Sequence, residues 1–215
     1  MKTLIFDMDG VIADSELIHY LTNVETFRQY GIPFEEEELF SYMGRTSWAL
    51  FEETLKKQQL ENLDAAELLE CKRRLYIEIL TKEPAVRPIE GIVDLLISLK
   101  LAGIKTAVAS STGREVTELV LEKLGVKECF DAVFGGDETT QGKPDPEIYL
   151  LAAQKLGEDP AQCCVIEDAA VGVAAAKQAG MYCIAYSNPA SGPQDLSLAD
   201  EVVESLADIS VERFL

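Results

Sequence analysis

Two aspartates stand one residue apart near the start of the chain, in the segment IFDMDGV, where an apolar run ends. Two acids at the end of a hydrophobic strand add little to stability. In an extended segment, residues two apart point to the same side, so Asp7 and Asp9 can reach one reacting atom together. One carboxylate could act as a nucleophile and the other as an acid and base. Gly10 lets the chain turn away beneath them.

Other polar residues follow the later predicted strands. The segments IKTAVAS, DAVFGG and CCVIED each read as a short apolar strand. Ligands bind outside the carboxyl ends of the strands in sheets of this kind, so residues that follow different strands should meet at one edge. The residues in question are Ser110, Ser111, Thr112, Lys143, Glu167 and Asp168. We therefore expect acids, hydroxyls and one lysine around a common site.

The charge of this set predicts a metal ion. Four carboxylates and one lysine carry a net charge of −3 if all ionise. Two like charges about 4 Å apart repel by about 4 kcal/mol at an effective dielectric constant of about 20. A divalent cation relieves this repulsion, and oxygen ligands suit Mg²⁺. The predicted metal ligands are Asp7, Asp9, Glu167 and Asp168.

The same set predicts a phosphate site. The segment from Ser110 to Thr112 opens a predicted helix, and a helix N-terminus attracts anions. Lys143 supplies a further positive charge. A metal, an anion site and a spare carboxylate together favour phosphoryl transfer, a reaction for which enzymes supply accelerations of up to about 10²¹-fold.

The motifs resemble those of the haloacid dehalogenase-like hydrolase superfamily, in its beta-phosphoglucomutase-like branch with a helical cap. The matching segments are DMDGVIADSE, VASST, GKPDPEIY and VIEDAAVG. The resemblance implies a Rossmann-like core, Mg²⁺ dependence and hydrolysis of a small phosphorylated metabolite, which we expect to be a sugar phosphate. It makes Asp7 the nucleophile and Asp9 the acid and base, with Asp14 in the hinge. Dehalogenases lack the second aspartate.

In this family Asp168 binds the metal directly with Glu167 close by, and Asp9 also offers its backbone carbonyl. Ser110 and Lys143 hold the phosphoryl oxygens.

The resemblance leaves two enzyme classes open. Mutases of the branch carry a cap histidine and a cap lysine, which His19 and Lys72 match, although a lone histidine also suits a surface position. Mutases also use a cap arginine a few residues after a glycine to hold a second phosphate. Here Arg45 follows Gly44 directly, and Ser47 stands where that arginine is expected. We therefore favour a phosphatase, with a mutase and a non-catalytic binding protein as alternatives.

The elements that must position these residues alternate regularly in the second half of the chain. Short apolar strands and amphipathic helices predict an α/β fold with a parallel sheet covered on both faces. Thr112 and Glu115 match a capping box, and Asp145 with Pro146 matches another helix start.

The first half of the chain lacks this alternation of strands and helices. No strand is predicted between residue 7 and the segment IKTAVAS. Leu17, Leu21, Val24 and Phe27 repeat at helical spacing, and Asp64 begins a second helical pattern. We therefore predict a helical cap domain at 15–82, inserted into a catalytic core of residues 1–14 and 83–215.

Composition excludes several classes of protein. Lys and Arg number 19 against 38 Asp and Glu, a net charge of −19, which argues against binding to nucleic acid or an anionic membrane. No apolar run approaches the roughly 18 residues of a membrane span. The five cysteines show no zinc spacing and predict reduced thiols. We expect a soluble, cytoplasmic monomer whose partner is a small phosphorylated metabolite.

Overall fold

The computed structural model describes residues 1–35, 39, 42, 45–82 and 86–215 of the chain. The strands in the described residues are β1 (Thr3–Phe6), β2 (Ala13–Asp14), β3 (Arg87–Pro88), β4 (Lys105–Ala109), β5 (Ala132–Phe134), β6 (Cys163–Glu167), β7 (Tyr182–Tyr186) and β8 (Glu201–Val203). The α-helices are α1 (Glu16–Tyr30), α2 (Ser47–Lys57), α3 (Ala65–Leu80), α4 (Ile92–Leu101), α5 (Arg114–Lys123), α6 (Glu147–Leu156) and α7 (Ala170–Gln178).

Six parallel strands form one sheet in the order β5-β4-β1-β6-β7-β8. Side chains alternate between its faces. Leu4 and Phe6 pack in the hydrophobic cluster that contains α4 and α5, whereas Ile5 packs in the cluster that contains α6 and α7. Both faces of the central strand are therefore buried, and the predicted α/β class with helices on both sides of a parallel sheet is confirmed.

Helices α1, α2 and α3 lie between β2 and β3 in the chain and have a hydrophobic cluster of their own. Its buried members include Phe27, Leu50, Phe51 and Leu68. The predicted helical insertion is thus present. Its boundaries at residues 15 and 82 stay a prediction.

Two short strands join the ends of this insertion. Ala13 pairs with Pro88 and Asp14 with Arg87, in an antiparallel arrangement. The prediction that no strand lies between the first strand and IKTAVAS was wrong here, because a two-residue strand is too short to carry an alternating pattern. The pairing holds the outgoing and returning segments of the chain side by side.

The face that α1 buries differs from the predicted one. Leu17 and Leu21 are 67% and 46% exposed, whereas Ile18 and Thr22 are buried. The Thr22 hydroxyl donates to the Ile18 carbonyl at 2.8 Å, so the threonine is buried with its polar atom satisfied. Phe27 is buried as predicted. A hydropathy pattern alone could not identify a buried face that includes threonine.

Of the two helix starts at α3 and α5, one was predicted correctly and one was not. Asp64 caps α3 by accepting from the Ala66 amide, as predicted. The capping box of Thr112 and Glu115 was wrong, because α5 begins at Arg114, whose amide donates to Asp137 Oδ1 at 2.8 Å. The Thr112 side chain is engaged elsewhere.

Asp145 accepts from the Glu147 amide at 3.0 Å, so it caps α6 although the helix begins one residue later than predicted. Among the helices described, none is long and apolar enough to cross a bilayer.

Candidate active site

The first part of the site forms where β1 and β6 end side by side. Phe6 pairs with Ile166 in the sheet, and the Asp7 amide donates to the Ile166 carbonyl at 3.0 Å. This register places Asp7 next to Glu167 and Asp168, as parallel strands that end at one edge require. The strand-end argument therefore placed these three acids together correctly.

We call Asp7, Glu167 and Asp168 the acid cluster. Each offers a carboxylate oxygen, and these oxygens lie within 4.8 Å of one another. Lys143 Nζ donates to Asp7 Oδ1 at 2.5 Å and to Glu167 Oε1 at 2.7 Å. All four side chains are buried. One buried cation thus faces three buried carboxylates, which leaves the cluster short of positive charge.

The pKa values in the cluster reflect this shortage. Burial raises the pKa of Asp7 well above its ordinary value, against the opposing effect of Lys143. Burial also raises the pKa of Asp168, and the charge of Glu167 raises it further. Although burial would lower the pKa of Lys143, Asp7 and Glu167 raise it, so this lysine stays charged.

The hydrogen bonds show which oxygens could hold a metal. Glu167 is fully engaged, since Lys143 and the Tyr149 hydroxyl donate to Oε1 and two backbone amides donate to Oε2. Ser191 donates to Asp168 Oδ2. Asp7 Oδ2 and Asp168 Oδ1 accept no hydrogen bond from any residue that the structure describes. Two open carboxylate oxygens beside an excess of negative charge suit a hard divalent cation such as Mg²⁺.

Gly10 is required by this arrangement. Its φ is +82°, and a Cβ at this position would lie 2.0 Å from Asp168 Oδ2. The Asn188 amide donates to the Gly10 carbonyl at 2.9 Å and fixes the turn from the other side. A side chain at residue 10 would displace Asp168 from the acid cluster.

The second part of the site surrounds Asp9. Asp9 Oδ1 accepts from the Ser15 hydroxyl at 2.6 Å, and Oδ2 accepts from the Thr112 hydroxyl at 2.8 Å and from Ser110 Oγ at 3.4 Å. His19 Nε2 lies 2.9 Å from Oδ1. The Asp9 carboxylate therefore lies outside the acid cluster. Its predicted role as a metal ligand rests on its backbone carbonyl and stays a prediction.

The partners of Asp9 reverse the effect of burial on its pKa. Burial alone would raise it, but the charge of His19 and the hydrogen bonds from His19, Ser15 and Thr112 lower it below the ordinary value. Asp9 is consequently held in its ionised form. Ser110 and Thr112, predicted as phosphate ligands, point their hydroxyls at Asp9 in this arrangement, and Ser111 lines the same cavity.

The helical insertion contributes a chain of contacts to Asp9. Lys72 Nζ lies 3.2 Å from His19 Nδ1 and donates to Ser47 Oγ at 2.6 Å. Lys72 is buried, and burial lowers its pKa to about 8. Three helices of the insertion thus contribute one side chain each to the chain of contacts that ends at Asp9: His19 from α1, Ser47 from α2 and Lys72 from α3.

Two other predicted residues, Arg45 and Asp14, form no hydrogen bond with Asp7 or Asp9 in the described part of the chain. The Arg45 guanidinium bonds to Glu53 and stands 4.5 Å from the centre of the Tyr42 ring. Asp14 is exposed in β2. Both residues line the same cavity as Asp7 and Asp9. Gly44 lies outside the described residues.

The two parts of the site face one cavity of about 480 Å³. Sites for small molecules span about 300–1,000 Å³. The residues that line it include Asp7, Asp9, Glu16, His19, Asn23, Arg45, Lys72, Ser111 and Thr112. A small phosphorylated molecule can therefore contact both aspartates at once.

Sequence reasoning missed several supporting residues. Tyr149 and Ser191 bond directly to the acid cluster, and Ser15 bonds to Asp9. Tyr149 lies in an amphipathic helix, where it reads as an apolar core position, and Ser191 lies in a segment that reads as a turn. Tyr149 lies in the matched segment GKPDPEIY, but its local pattern does not distinguish it from a core residue.

Comparison with known proteins identifies the family. A model of the haloacid dehalogenase-like hydrolase family matches residues 4–186. Beta-phosphoglucomutase of Bacillus subtilis (strain 168) is 33% identical over 216 residues, covering 99% of this chain and 93% of that protein. A phosphorylated carbohydrates phosphatase of Thermotoga maritima is 36% identical over 185 residues, covering 84% and 82%.

A solved structure extends this similarity to the whole fold. CbbY from Rhodobacter sphaeroides in complex with xylulose-(1,5)bisphosphate superposes with a TM-score of 0.85 and 26% identity, covering 97% of this chain and 96% of that one. The chain therefore belongs to the haloacid dehalogenase-like hydrolase family.

Proposed function

We propose that the protein is a Mg²⁺-dependent phosphatase that hydrolyses a small phosphorylated metabolite, a sugar phosphate, through an aspartyl-phosphate on Asp7. The observation that carries the proposal is that two carboxylates lining one cavity have different bonding partners. Asp7 belongs to the acid cluster and is bonded to Lys143, and Asp9 has separate partners. The similarity to a phosphorylated carbohydrates phosphatase supports the choice of substrate class.

In the first step Asp7 attacks phosphorus in its ionised form, which Lys143 favours and a bound Mg²⁺ would favour further against the effect of burial. The bond between phosphorus and the leaving oxygen breaks as Asp9 gives that oxygen a proton. The negative charge of the phosphoryl group raises the pKa of Asp9 from its low value beside His19, which lets Asp9 carry this proton. In the second step Asp9 takes a proton from water, which attacks phosphorus. Inorganic phosphate leaves and Asp7 is restored.

Other side chains bind and orient the phosphoryl group. Lys143 and Ser110, with Ser111 and Thr112 beside them, hold the phosphoryl oxygens in this proposal. Asp7 and Asp168 would hold Mg²⁺ with the Asp9 carbonyl, while Glu167 positions Lys143. When bound, the metal supplies the positive charge that lets anionic substrate approach three carboxylates.

The helical insertion acts as a cap over the core, with its boundaries near residues 15 and 82. The contacts that connect cap and core in the closed arrangement include His19 with Asp9, and Arg73 with Glu115 at 2.6 Å. Opening admits substrate and closure excludes water. We further propose a cytoplasmic monomer without nucleic-acid or membrane partners, which the net charge of −19 supports.

A phosphomutase is the second candidate. The contact of His19 and Lys72 with the Asp9 site favours it, as does the similarity to beta-phosphoglucomutase. The engagement of Arg45 with Glu53 and the presence of Ser47 beside it disfavour a strong second phosphate site. Incubation with a hexose 1-phosphate and a trace of hexose bisphosphate distinguishes the two: release of inorganic phosphate indicates the phosphatase, and formation of the 6-phosphate indicates the mutase.

The test of the proposed function is the turnover of para-nitrophenyl phosphate by Asp7→Asn in the presence of Mg²⁺. Removal of the nucleophile should lower kcat by at least about 10⁴-fold. The exposed Asp208→Asn serves as the matched control and should keep the activity of the unmodified protein. Circular dichroism verifies that both variants fold. Residual activity within about 100-fold of the unmodified protein would show that Asp7 is not the nucleophile.

A further inference from the structure

The loop that follows β7 packs against the acid cluster. We call residues 187–194 the β7 loop. Glu167 pairs with Ala185 in the sheet, so the loop leaves β7 next to the end of β6. Two of its polar side chains, Asn188 and Ser191, are only 8% and 2% exposed. No step of the proposed mechanism uses either of them.

The Ser191 hydroxyl fixes one oxygen of Asp168. It donates to Asp168 Oδ2. The same oxygen lies against Gly10, where a Cβ would come within 2.0 Å of it. Oδ2 is therefore held between a donor and the backbone, and rotation of the carboxylate would break the hydrogen bond. This leaves Oδ1 as the open oxygen of Asp168.

Asn188 fixes the segment that carries Asp9. Its side-chain amide donates to the Gly10 carbonyl at 2.9 Å. Gly10 follows Asp9 directly in the chain, and the backbone carbonyl of Asp9 is a metal ligand in the proposed function. Asn188 and Ser191 thus hold the segments of two different metal ligands, one after β1 and one after β6.

Gln194 holds Ser191 in place. Its Nε2 donates to the Ser191 carbonyl at 3.0 Å, and its Oε1 accepts from the Ala170 amide at 2.9 Å. Ala170 begins α7, two residues after Asp168. The β7 loop and the segment after β6 are therefore joined twice, through the side chains of Ser191 and of Gln194.

Local turn chemistry explains only part of these contacts. Asn188 Oδ1 accepts from the Ala190 amide at 2.9 Å, which is ordinary for an asparagine at a turn. The acceptors of the other two bonds, the Gly10 carbonyl and the Asp168 carboxylate, lie 178 and 23 residues away in the chain. A turn does not require donors to such distant acceptors. Hydrogen bonds of this kind orient the ligands of a metal.

We propose that Asn188 and Ser191 are positioning residues of the Mg²⁺ site, which set its affinity for the metal and its preference for Mg²⁺ over Ca²⁺. The inference rests on the proposed function, because it takes Asp168 and the Asp9 carbonyl as metal ligands. Asn188 and Ser191 act through these neighbours and are not ligands themselves.

The preference for Mg²⁺ follows from the fixed orientation of the ligands. Mg²⁺ requires nearly ideal octahedral geometry with oxygens at about 2.0–2.1 Å, whereas Ca²⁺ accepts about six to eight oxygens at about 2.3–2.6 Å in flexible arrangements. A carboxylate that can rotate therefore disfavours Mg²⁺ more than Ca²⁺.

The experiment measures the dissociation constants of Mg²⁺ and Ca²⁺ from their displacement of Mn²⁺, which is followed by electron paramagnetic resonance. Ser191→Ala should weaken Mg²⁺ binding by about 10–100-fold, because the Asp168 carboxylate loses its orienting donor. Ca²⁺ binding should weaken less, so the preference for Mg²⁺ should fall. Ser191→Thr, which keeps the hydroxyl, should restore most of both. Asn188→Ala should weaken Mg²⁺ binding by about 10-fold.

The control is Thr106→Val, which removes another buried hydroxyl donor. Thr106 is 1% exposed, donates to the Cys129 carbonyl at 2.6 Å and lies near the start of β4, away from the carboxyl ends of the strands. This variant should keep both dissociation constants of the unmodified protein. Thermal melting without metal verifies that the variants fold. If Ser191→Ala does not fold, Asn188→Ala carries the test.

Three results would overturn the inference. The first is an Mg²⁺ dissociation constant that is the same in Ser191→Ala, Asn188→Ala and Thr106→Val. The second is an equal loss of Mg²⁺ and Ca²⁺ affinity, because a loop that only stabilises the fold would not distinguish the two ions. The third is an absence of displaceable Mn²⁺ in the unmodified protein, which would also remove the proposed metal site.

Failure of the inference can be distinguished from failure of the proposed function, because ion binding is measured without substrate. In the active enzyme, Ser191→Ala should raise the Mg²⁺ concentration for the half-maximal rate far more than it lowers kcat at saturating Mg²⁺. If para-nitrophenyl phosphate is hydrolysed and this concentration is unchanged, only the inference fails. If Mg²⁺ binding depends on Ser191 but no phosphate ester is hydrolysed, the proposed function fails and the inference stands.

Discussion

Asp7 and Asp9 are two residues apart in the chain and have contrasting surroundings. Asp7 belongs to a buried cluster built from the ends of the sheet, and burial raises its pKa. Asp9 is partly buried, but hydroxyl groups and His19 surround it and its pKa is lowered. The comparison shows that hydrogen bonds and nearby charges, together with burial, determine the charge state of a carboxylic acid.

The two surroundings also come from different parts of the protein. Lys143, Glu167 and Asp168 all belong to the core, whereas His19 and Lys72 belong to the helical insertion. In the proposed mechanism the core alone holds the nucleophile, with Lys143 and a bound Mg²⁺ as the groups that would favour its ionised form. The acid and base accepts hydrogen bonds from Ser110 and Thr112 of the core, and its contact with His19 forms only when the insertion lies against the core.

The largest expected effect is a change in kcat/KM. Asp9→Asn should separate the roles of the two aspartates when substrates with different leaving groups are compared. Loss of the acid and base should lower kcat/KM for a sugar phosphate by about 10²–10⁴-fold. The loss should be much smaller for para-nitrophenyl phosphate, because its leaving oxygen needs little protonation. Asp7→Asn should reduce both reactions equally, since every substrate needs the nucleophile. Equal losses for both substrates in Asp9→Asn would contradict the assigned role.

A smaller effect, on stability, should follow from Lys143→Met. Removal of the Lys143 charge, which bonds to the acid cluster, should lower the free energy of unfolding by about 3–5 kcal/mol, because buried carboxylates lose their partner. Saturating Mg²⁺ should restore part of this loss, so the shift in Tm caused by Mg²⁺ should be larger in the variant. Urea unfolding measures the free energy, and thermal unfolding with and without Mg²⁺ measures the shift in Tm.

Lys177→Met is the control for this experiment. Lys177 bonds to Asp200 at a partly exposed position, where an ion pair contributes about 0–1 kcal/mol. An equal stabilisation by Mg²⁺ in Lys143→Met, Lys177→Met and the unmodified protein would place the metal away from the acid cluster.

The smallest expected effect concerns pH and the Asp9 side of the cavity. The pKa of Lys72 is lowered from 10.5 to about 8, so the ammonium form loses its proton as the pH rises through about 8. Its charge faces Asp9, Glu16 and His19. If this charge helps to bind an anionic substrate, kcat/KM should fall by about 10-fold between pH 7 and pH 9. Lys72→Met should lack this fall, and the exposed Lys56→Met should retain it.

The free energy of unfolding should rise over the same pH range in which kcat/KM falls. The unfolded chain keeps a proton on Lys72 up to about 10.5, whereas the folded protein releases it near 8. Between these values the unfolded state binds more protons, so the free energy of unfolding should rise with pH. A fall that Lys72→Met removes would contradict the assigned burial of the charge.

The core side of the site could be predicted from the sequence because it follows from strand ends alone. Once parallel strands are recognised, Asp7, Glu167 and Asp168 must meet at one edge. The surroundings of Asp9 depend on how α1 is turned toward the core. The exposed Leu17 and the buried Thr22 show that hydropathy did not fix this orientation.

The supporting hydrogen bonds were the hardest part to foresee. Thr112 was read as a helix cap, but its hydroxyl binds Asp9 and Asp137 takes the capping role. Tyr149 and Ser191 come from a helix and a turn whose local patterns explain them completely without a site. Residues that act only through long-range contacts leave no local signal in a single sequence.

The most direct test of the central claim is to locate the phosphoryl group during turnover. Asp9→Asn should form the aspartyl-phosphate from para-nitrophenyl phosphate with Mg²⁺ and hydrolyse it slowly, so the intermediate accumulates and can be trapped by acid. Mass spectrometry of the tryptic peptide of residues 3–28 should then show one added phosphoryl group, located on Asp7. Release of para-nitrophenol with an unmodified peptide, or a phosphoryl group on any other residue, would contradict the account.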